Sequence, residues 1–185
     1  MQNYKKNLEL LSKNHVYSKE MEHDACGVGL LASTEGKKSR LVVEYGIEAL
    51  KAVWHRGAVD ADGKTGDGAG IHLEIPKDFF IEKIEVTGHD YDNSEICVGM
   101  IFLLKNDYSS QEICKTIVES ELTKNNFSIY GWRQVPVNPK ILGQKALQTM
   151  PEIIQVLFIS NYPNLLDKSL ERKIYETRKR IENKS

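Results

Sequence analysis

The chain has 185 residues but only three cysteines, no charge surplus and no long apolar run. A bilayer-spanning helix needs about 18 consecutive apolar residues, and no stretch here approaches that. Cys26, Cys97 and Cys114 are odd in number and far apart, and none forms a C-x-x-C pair. That pattern excludes a disulfide framework and a paired-cysteine zinc site, and it fits a reducing compartment. Twenty-five Lys and Arg against 26 Asp and Glu leave a net charge of -1, which removes the electrostatic case for a nucleic-acid or membrane-surface partner. The first 25 residues carry Lys5, Lys6, Glu9, Lys13, Lys19, Glu20 and Glu22, so they lack the apolar core of a secretory signal. These absences predict a cytoplasmic chain. No tandem repeat or low-complexity tract is present.

What is there is enough apolar sequence, 41%, for a packed core. Residues 1–25 read as a polar leader that packs loosely or is removed. From Cys26 to Ser33 the pattern suits a buried strand ending in a turn at Ser33-Thr34-Glu35-Gly36. Val43, Ile47, Leu50 and Trp54 recur at steps of four, three and four, one face of an amphipathic helix that Gly57 is placed to end. A loop rich in Gly and Asp covers 55–70, and a strand from Ala69 to Ile75 stops at Pro76. Ile96–Leu104 reads as a strongly apolar strand. Ser109 with Glu112 reads as a capping box opening a helix with Ile113, Ile117, Val118 and Leu122 on one side. Phe127–Gln134 and Ile153–Ile159 read as strands. The tail from Leu165 carries Leu170, Ile174 and Ile181 on one helical side, with Arg178-Lys179-Arg180 on a solvated, charge-alternating face. The alternation predicts mixed α and β structure.

Three motifs could carry chemistry. In His23-Asp24-Ala25-Cys26-Gly27-Val28-Gly29 a cysteine precedes an apolar stretch. Free cysteine is among the most buried residue types, so a core thiol is one reading. The other is a nucleophile. A thiol of ordinary pKa is only slightly ionised at neutral pH and needs activation. If the bond after Ala25 is cut, the α-amine of Cys26 itself, with a pKa of about 7.7–8.0, can accept the thiol proton. The second motif, His55-Arg56-Gly57-Ala58, puts an arginine at the end of the helix, where it can grip a carboxylate bidentately or tie down a loop. The third, Thr65-Gly66-Asp67-Gly68-Ala69-Gly70, has three glycines at alternate positions, suited to unusual backbone angles and a tight turn. It has neither dinucleotide-fingerprint nor P-loop spacing. His23, Cys26, His55 and His72 are metal-ligand types without metal-ligand spacing. Cys97 and Cys114 fall in a strand and on a helix's apolar face, where core thiols are expected.

Taken in order, these three motifs resemble the class II glutamine amidotransferase domain found at the N-terminus of the large (α) subunits of glutamate synthases. Tyr130-Gly131-Trp132-Arg133-Gln134-Val135-Pro136-Val137 and Leu170-Glu171-Arg172-Lys173-Ile174-Tyr175 extend the resemblance from Glu22 to the C-terminus. It implies an α+β fold of the N-terminal nucleophile hydrolase kind, an αββα sandwich of two stacked antiparallel sheets, incomplete in this chain. It also implies a propeptide over residues 1–25 and the amidotransferase domain's N-terminal part over 26–185. By the same resemblance Cys26 is the catalytic nucleophile and Arg56 a substrate-binding residue. The activity implied is hydrolysis of glutamine to glutamate and ammonia, the ammonia passing to 2-oxoglutarate elsewhere in the complete enzyme. FMN and an iron–sulfur cluster are implied for that enzyme and not for this chain. The implied partners are glutamine, the remainder of the large subunit, and a small reductase subunit or ferredoxin. The family's oxyanion Asn-Gly pair and its acidic residue for the substrate α-amino group are expected beyond residue 185. A non-catalytic remnant that at most binds a partner is the competing expectation.

Overall fold

A computed structural model describes Lys6, Asn7, Leu10, Lys13 and residues 27–53, 57–66, 68–91, 95–162 and 167–185. The chain divides into two compact units, one of Met1–Ala58 with Ala69–Ile71 and one of Val59–Gly68 with His72–Ser185.

In the first unit, helix α1 spans Arg40–Ala52. The Ser39 hydroxyl accepts from the Leu41 amide at 3.2 Å and caps it. Val43, Ile47 and Leu50 are half-buried on one face, as their spacing predicts. At Gly46 the Ile71 side-chain tip lies 2.9 Å from where a Cβ would stand, so a larger residue there would push that tip aside. The helix ends at Val53 rather than at Gly57. The expected strand from Cys26 is not formed: residues 27–33 have no regular structure, and Val28 and Leu30 are 94% and 93% exposed. The expected strand at 69–75 is likewise absent. An apolar segment becomes a strand only when a ladder takes up its backbone groups. Among the described residues neither segment has one.

The second unit has that ladder. Its elements are α2 (Lys77–Val86), β1 (Ile96–Leu103), α3 (Tyr108–Lys124), β2 (Phe127–Gln134), a 3-10 turn at Pro139–Ile141, α4 (Gln144–Thr149), β3 (Glu152–Ser160) and α5 (Asp167–Glu182). Helices α2 and α4 and the 3-10 turn escaped the sequence reading. The three strands form one antiparallel sheet in the order β1-β3-β2. Val98 faces Leu157 on one side of the central strand, and Trp132 faces Val156 on the other, with a bulge between Ile129 and Gly131. The sheet is covered on both faces. Cys97, Phe127, Val156 and Phe158 pack with Val118 and Leu122 of α3 and Leu170 of α5. On the opposite face Ile96, Tyr130, Leu157 and Ile159 pack with Phe80 and Ile84 of α2. A strand buried on both faces reads as a continuous apolar run, which is the composition of β3. Each such aliphatic or aromatic side chain contributes about 1.5–3 kcal/mol by leaving water.

Two helix details depart from expectation. Asp107, not Ser109, caps α3, its carboxylate accepting from the Ser110 amide at 3.0 Å. Ile113, expected inside, is exposed. The inward face instead carries Gln111, Val118, Glu121 and Leu122. Glu121 is almost fully enclosed, and its carboxylate accepts from Lys184 at 2.7 Å and Lys124 at 3.5 Å. The Lys184 hydrogen bond is the main reason this carboxyl titrates below its usual range. On α5 the basic cluster is solvated as expected, with Arg178 and Lys179 both paired to Glu182. Among the described residues no helix is long and apolar enough to cross a membrane.

Candidate functional site

Cys26 and Arg56, the two residues expected to carry the chemistry, lie outside the described residues, as do His23, His55 and Asp67. Their described neighbours define what surrounds them in the chain. Beyond Cys26, Gly27 and Gly29 have open space around the Cα, in a segment with no regular structure. Before Arg56 in sequence, α1 ends at Ala52 with Val53 as its C-cap.

After Arg56 the chain enters a closed turn. Val59 and Gly66 form an antiparallel bridge, and the Asp60 amide donates to the Thr65 carbonyl at 2.7 Å. Within it the Gly63 amide donates to the Asp60 carbonyl at 2.9 Å, and Gly63 sits at φ 68, a conformation that glycine adopts without a Cβ penalty. Asp62 fills the turn from inside. It accepts from the Lys64 amide at 3.0 Å, the Thr65 amide at 2.7 Å and the Thr65 hydroxyl at 2.6 Å. The Thr65 hydroxyl, then the backbone donors, hold this carboxyl far below the usual carboxylate range. The tight turn therefore lies at Asp62-Gly63-Lys64, ahead of the alternate glycines. Gly68 and Gly70 have neither a positive φ nor a crowded Cα.

The turn is fastened from far along the chain. Lys145 Nζ donates to Asp60 Oδ2 at 2.6 Å across 85 residues, and the Lys145 backbone adds to the donors around Asp62. Gly143 abuts the same turn: a Cβ there would collide with the Thr65 hydroxyl and the Asp62 carboxylate. Neither Gly143 nor Lys145 stood out in the sequence. Each belongs to no recognisable motif, and only the fold brings them to the turn.

The two described thiols, Cys97 and Cys114, both lie in the second unit. Cys97 is buried in the sheet, and burial, then Glu95 and Glu171, push its thiol up to about 12. It is held protonated and inert. Cys114 is half-buried on the inward side of α3. Among the described residues no three His, Cys, Asp or Glu side chains gather so as to hold a metal ion.

Comparison with protein families matches residues 26–185 to the class II glutamine amidotransferases. The chain is 50% identical over 179 residues to the NADPH glutamate synthase large chain of Azospirillum brasilense, covering 97% of this chain and 12% of that protein. It is 40% identical over 162 residues to ferredoxin-dependent glutamate synthase 1 of Arabidopsis thaliana, covering 87% of this chain and 10% of that one. It is 37% identical over 177 residues to the NADH glutamate synthase of Saccharomyces cerevisiae, covering 90% and 8%. The chain thus spans about a tenth of the length of these relatives.

Proposed function

Because the chain belongs to the class II glutamine amidotransferases, we propose that it is the glutamine-hydrolysing part of a glutamate synthase, with Cys26 as nucleophile. The observation that carries this is the start of the family match at Cys26 itself. That is where the mature chain begins if residues 1–25 are a propeptide removed between Ala25 and Cys26.

In this reading the freed α-amine of Cys26 takes the thiol proton. The thiolate attacks the side-chain amide carbon of glutamine, and the tetrahedral intermediate collapses as the C–N bond breaks. The proton passes from the α-amine to the leaving nitrogen, which departs as ammonia. Water then attacks the thioester, gives up a proton to the same amine, and releases glutamate with the thiol restored. Arg56 holds the substrate end of the pocket by a charge-assisted pair. Preorganised oxyanion donors supply about 2.7–4 kcal/mol each in acyl transfer, and we assign them to sequence beyond Ser185. The second sheet of the αββα sandwich belongs to this proposal as well.

The ammonia then serves addition to 2-oxoglutarate in the remainder of a large subunit, with electrons from a small reductase subunit or ferredoxin. The described residues do not fit the FMN or iron–sulfur cluster of that reaction. Among the described residues no three His, Cys, Asp or Glu side chains gather, where a cluster needs several thiolates. The turn at Asp62 is filled by its own carboxylate where a flavin phosphate would need free amides. In this reading both groups belong to the remainder of the enzyme.

The test is intact mass after treatment with a glutamine-like diazoketone. The expected product starts at Cys26, carries one covalent adduct, and loses that adduct in Cys26→Ala. A mass starting at Met1 or Gln2, with no adduct under any condition, would point to a non-catalytic remnant.

A further inference from the structure

We propose that the free edge of β1 docks a second copy of this chain, the two β1 strands pairing antiparallel about Met100. The sheet runs β1-β3-β2, so β1 and β2 each have one side without a ladder partner among the described residues. The two edges are built differently. Strand β2 is guarded: it carries Arg133, bulges between Ile129 and Gly131, and leads into Pro136. Charges, bulges and prolines are the devices that keep an edge from pairing. Strand β1 has none of them. Residues 96–104 contain no charged side chain and no proline, and β1 meets β3 in unbroken register. Met100, Phe102 and Leu104 are exposed. Helices α2 and α3 lie chiefly against β2.

The flanking charges select the occupant. Glu95 precedes the uncharged run and Lys105 follows it. Both are exposed, and among the described residues neither is in an ion pair. Antiparallel pairing of two copies centred on Met100 sets residues equally far from it opposite one another. Glu95 then faces Lys105 of the second copy, and the two-fold symmetry repeats that pair at the other end. Between them Ile96 faces Leu104 and Val98 faces Phe102, apolar against apolar. Each pair has matching parity along the strand, so its side chains lie on one face of the joined sheet. Centred on Gly99 instead, Glu95 would face Leu103; centred on Ile101, it would face Asp107. The Met100 register alone among these neighbours matches charge with charge. It also takes up the outward backbone groups of β1.

Sedimentation equilibrium of the 185-residue chain tests this. The parent is expected to reach twice the 21.1 kDa of one chain. Its dissociation constant is expected in the micromolar range, because one strand pair buries little area. Met100→Lys brings two ammonium groups together on the two-fold axis and is expected to weaken the dimer about a hundredfold. Glu95→Lys or Lys105→Glu alone sets like charges opposite at both ends and is expected to weaken it about tenfold. Glu95→Lys combined with Lys105→Glu restores both pairs in the reversed sense and is expected to match the parent. Ser128→Lys, on the β2 edge, is expected to leave the dimer unchanged. A monomer at every concentration up to about 100 μM overturns the proposal, including one whose β1 edge is protected from hydrogen exchange by another segment of the same chain. So does a dimer that Met100→Lys leaves intact, or a double variant no tighter than the single ones.

Discussion

The β3 strand and the segment after Cys26 are both apolar, yet they end in opposite environments. Ile154, Val156, Leu157, Phe158 and Ile159 are buried on two faces of a sheet. Val28 and Leu30 are almost wholly exposed. Composition does not separate the two. Strand β3 has a hydrogen-bonded neighbour on each side and helices over both faces. Residues 27–33 have no ladder partner among the described residues. Apolar patterning thus states that a segment is suited to burial, and the supply of neighbours decides whether burial happens. The packed sheet is also where Cys97 lies.

The largest effect expected from this contrast is on stability. Phe158 is buried and stacks edge-on with Phe127 at 5.4 Å between centroids. Phe158→Ala should cost about 3–5 kcal/mol in urea unfolding, whereas Leu30→Ala should stay within about 0.5 kcal/mol. Equal losses would erase the distinction between the two segments.

Next comes thiol chemistry. Raised by burial, the Cys97 thiol stays protonated in the folded chain to about pH 12, whereas in the unfolded chain it ionises near 9.0. The folded form therefore binds more protons between these values, and stability is lost as pH rises through that window. Below it, iodoacetamide should leave Cys97 unmodified until denaturant is added. Rapid alkylation of Cys97 in the native chain would show that the sheet opens.

The smallest effect concerns Glu121. Its carboxyl is held low chiefly by Lys184, so it contributes stability above its ordinary 4.5 that is lost as pH falls through the lowered value. In Lys184→Met the melting temperature should fall slightly at pH 7, and the gap to the parent should close at low pH. A gap that persists at acid pH would assign the effect to lost lysine packing instead.

Legibility in the sequence followed the same division. Strands β1, β2 and β3 and helices α3 and α5 were readable because each carries a repeating apolar pattern that the fold then satisfies. Helix α2 was hidden because its buried residues, Phe80 and Ile84, make a single turn's repeat after Pro76. Asp107 took the cap of α3 because it stands one residue ahead of Tyr108, where its carboxylate reaches the Ser110 amide. The family was legible as ordered motifs. The fastening of the Asp62 turn was not, since no local pattern connects Asp60 with a lysine 85 residues later.

By itself the sequence determined the family and the elements with strong periodicity, because these depend on local spacing and on ordered motifs. Tertiary structure alone decided which apolar segments are buried, that Cys97 is held protonated, and that Gly143 and Lys145 meet the turn after Arg56. Those outcomes depend on desolvation and on contacts between distant parts of the chain. Neither exists until the chain has folded.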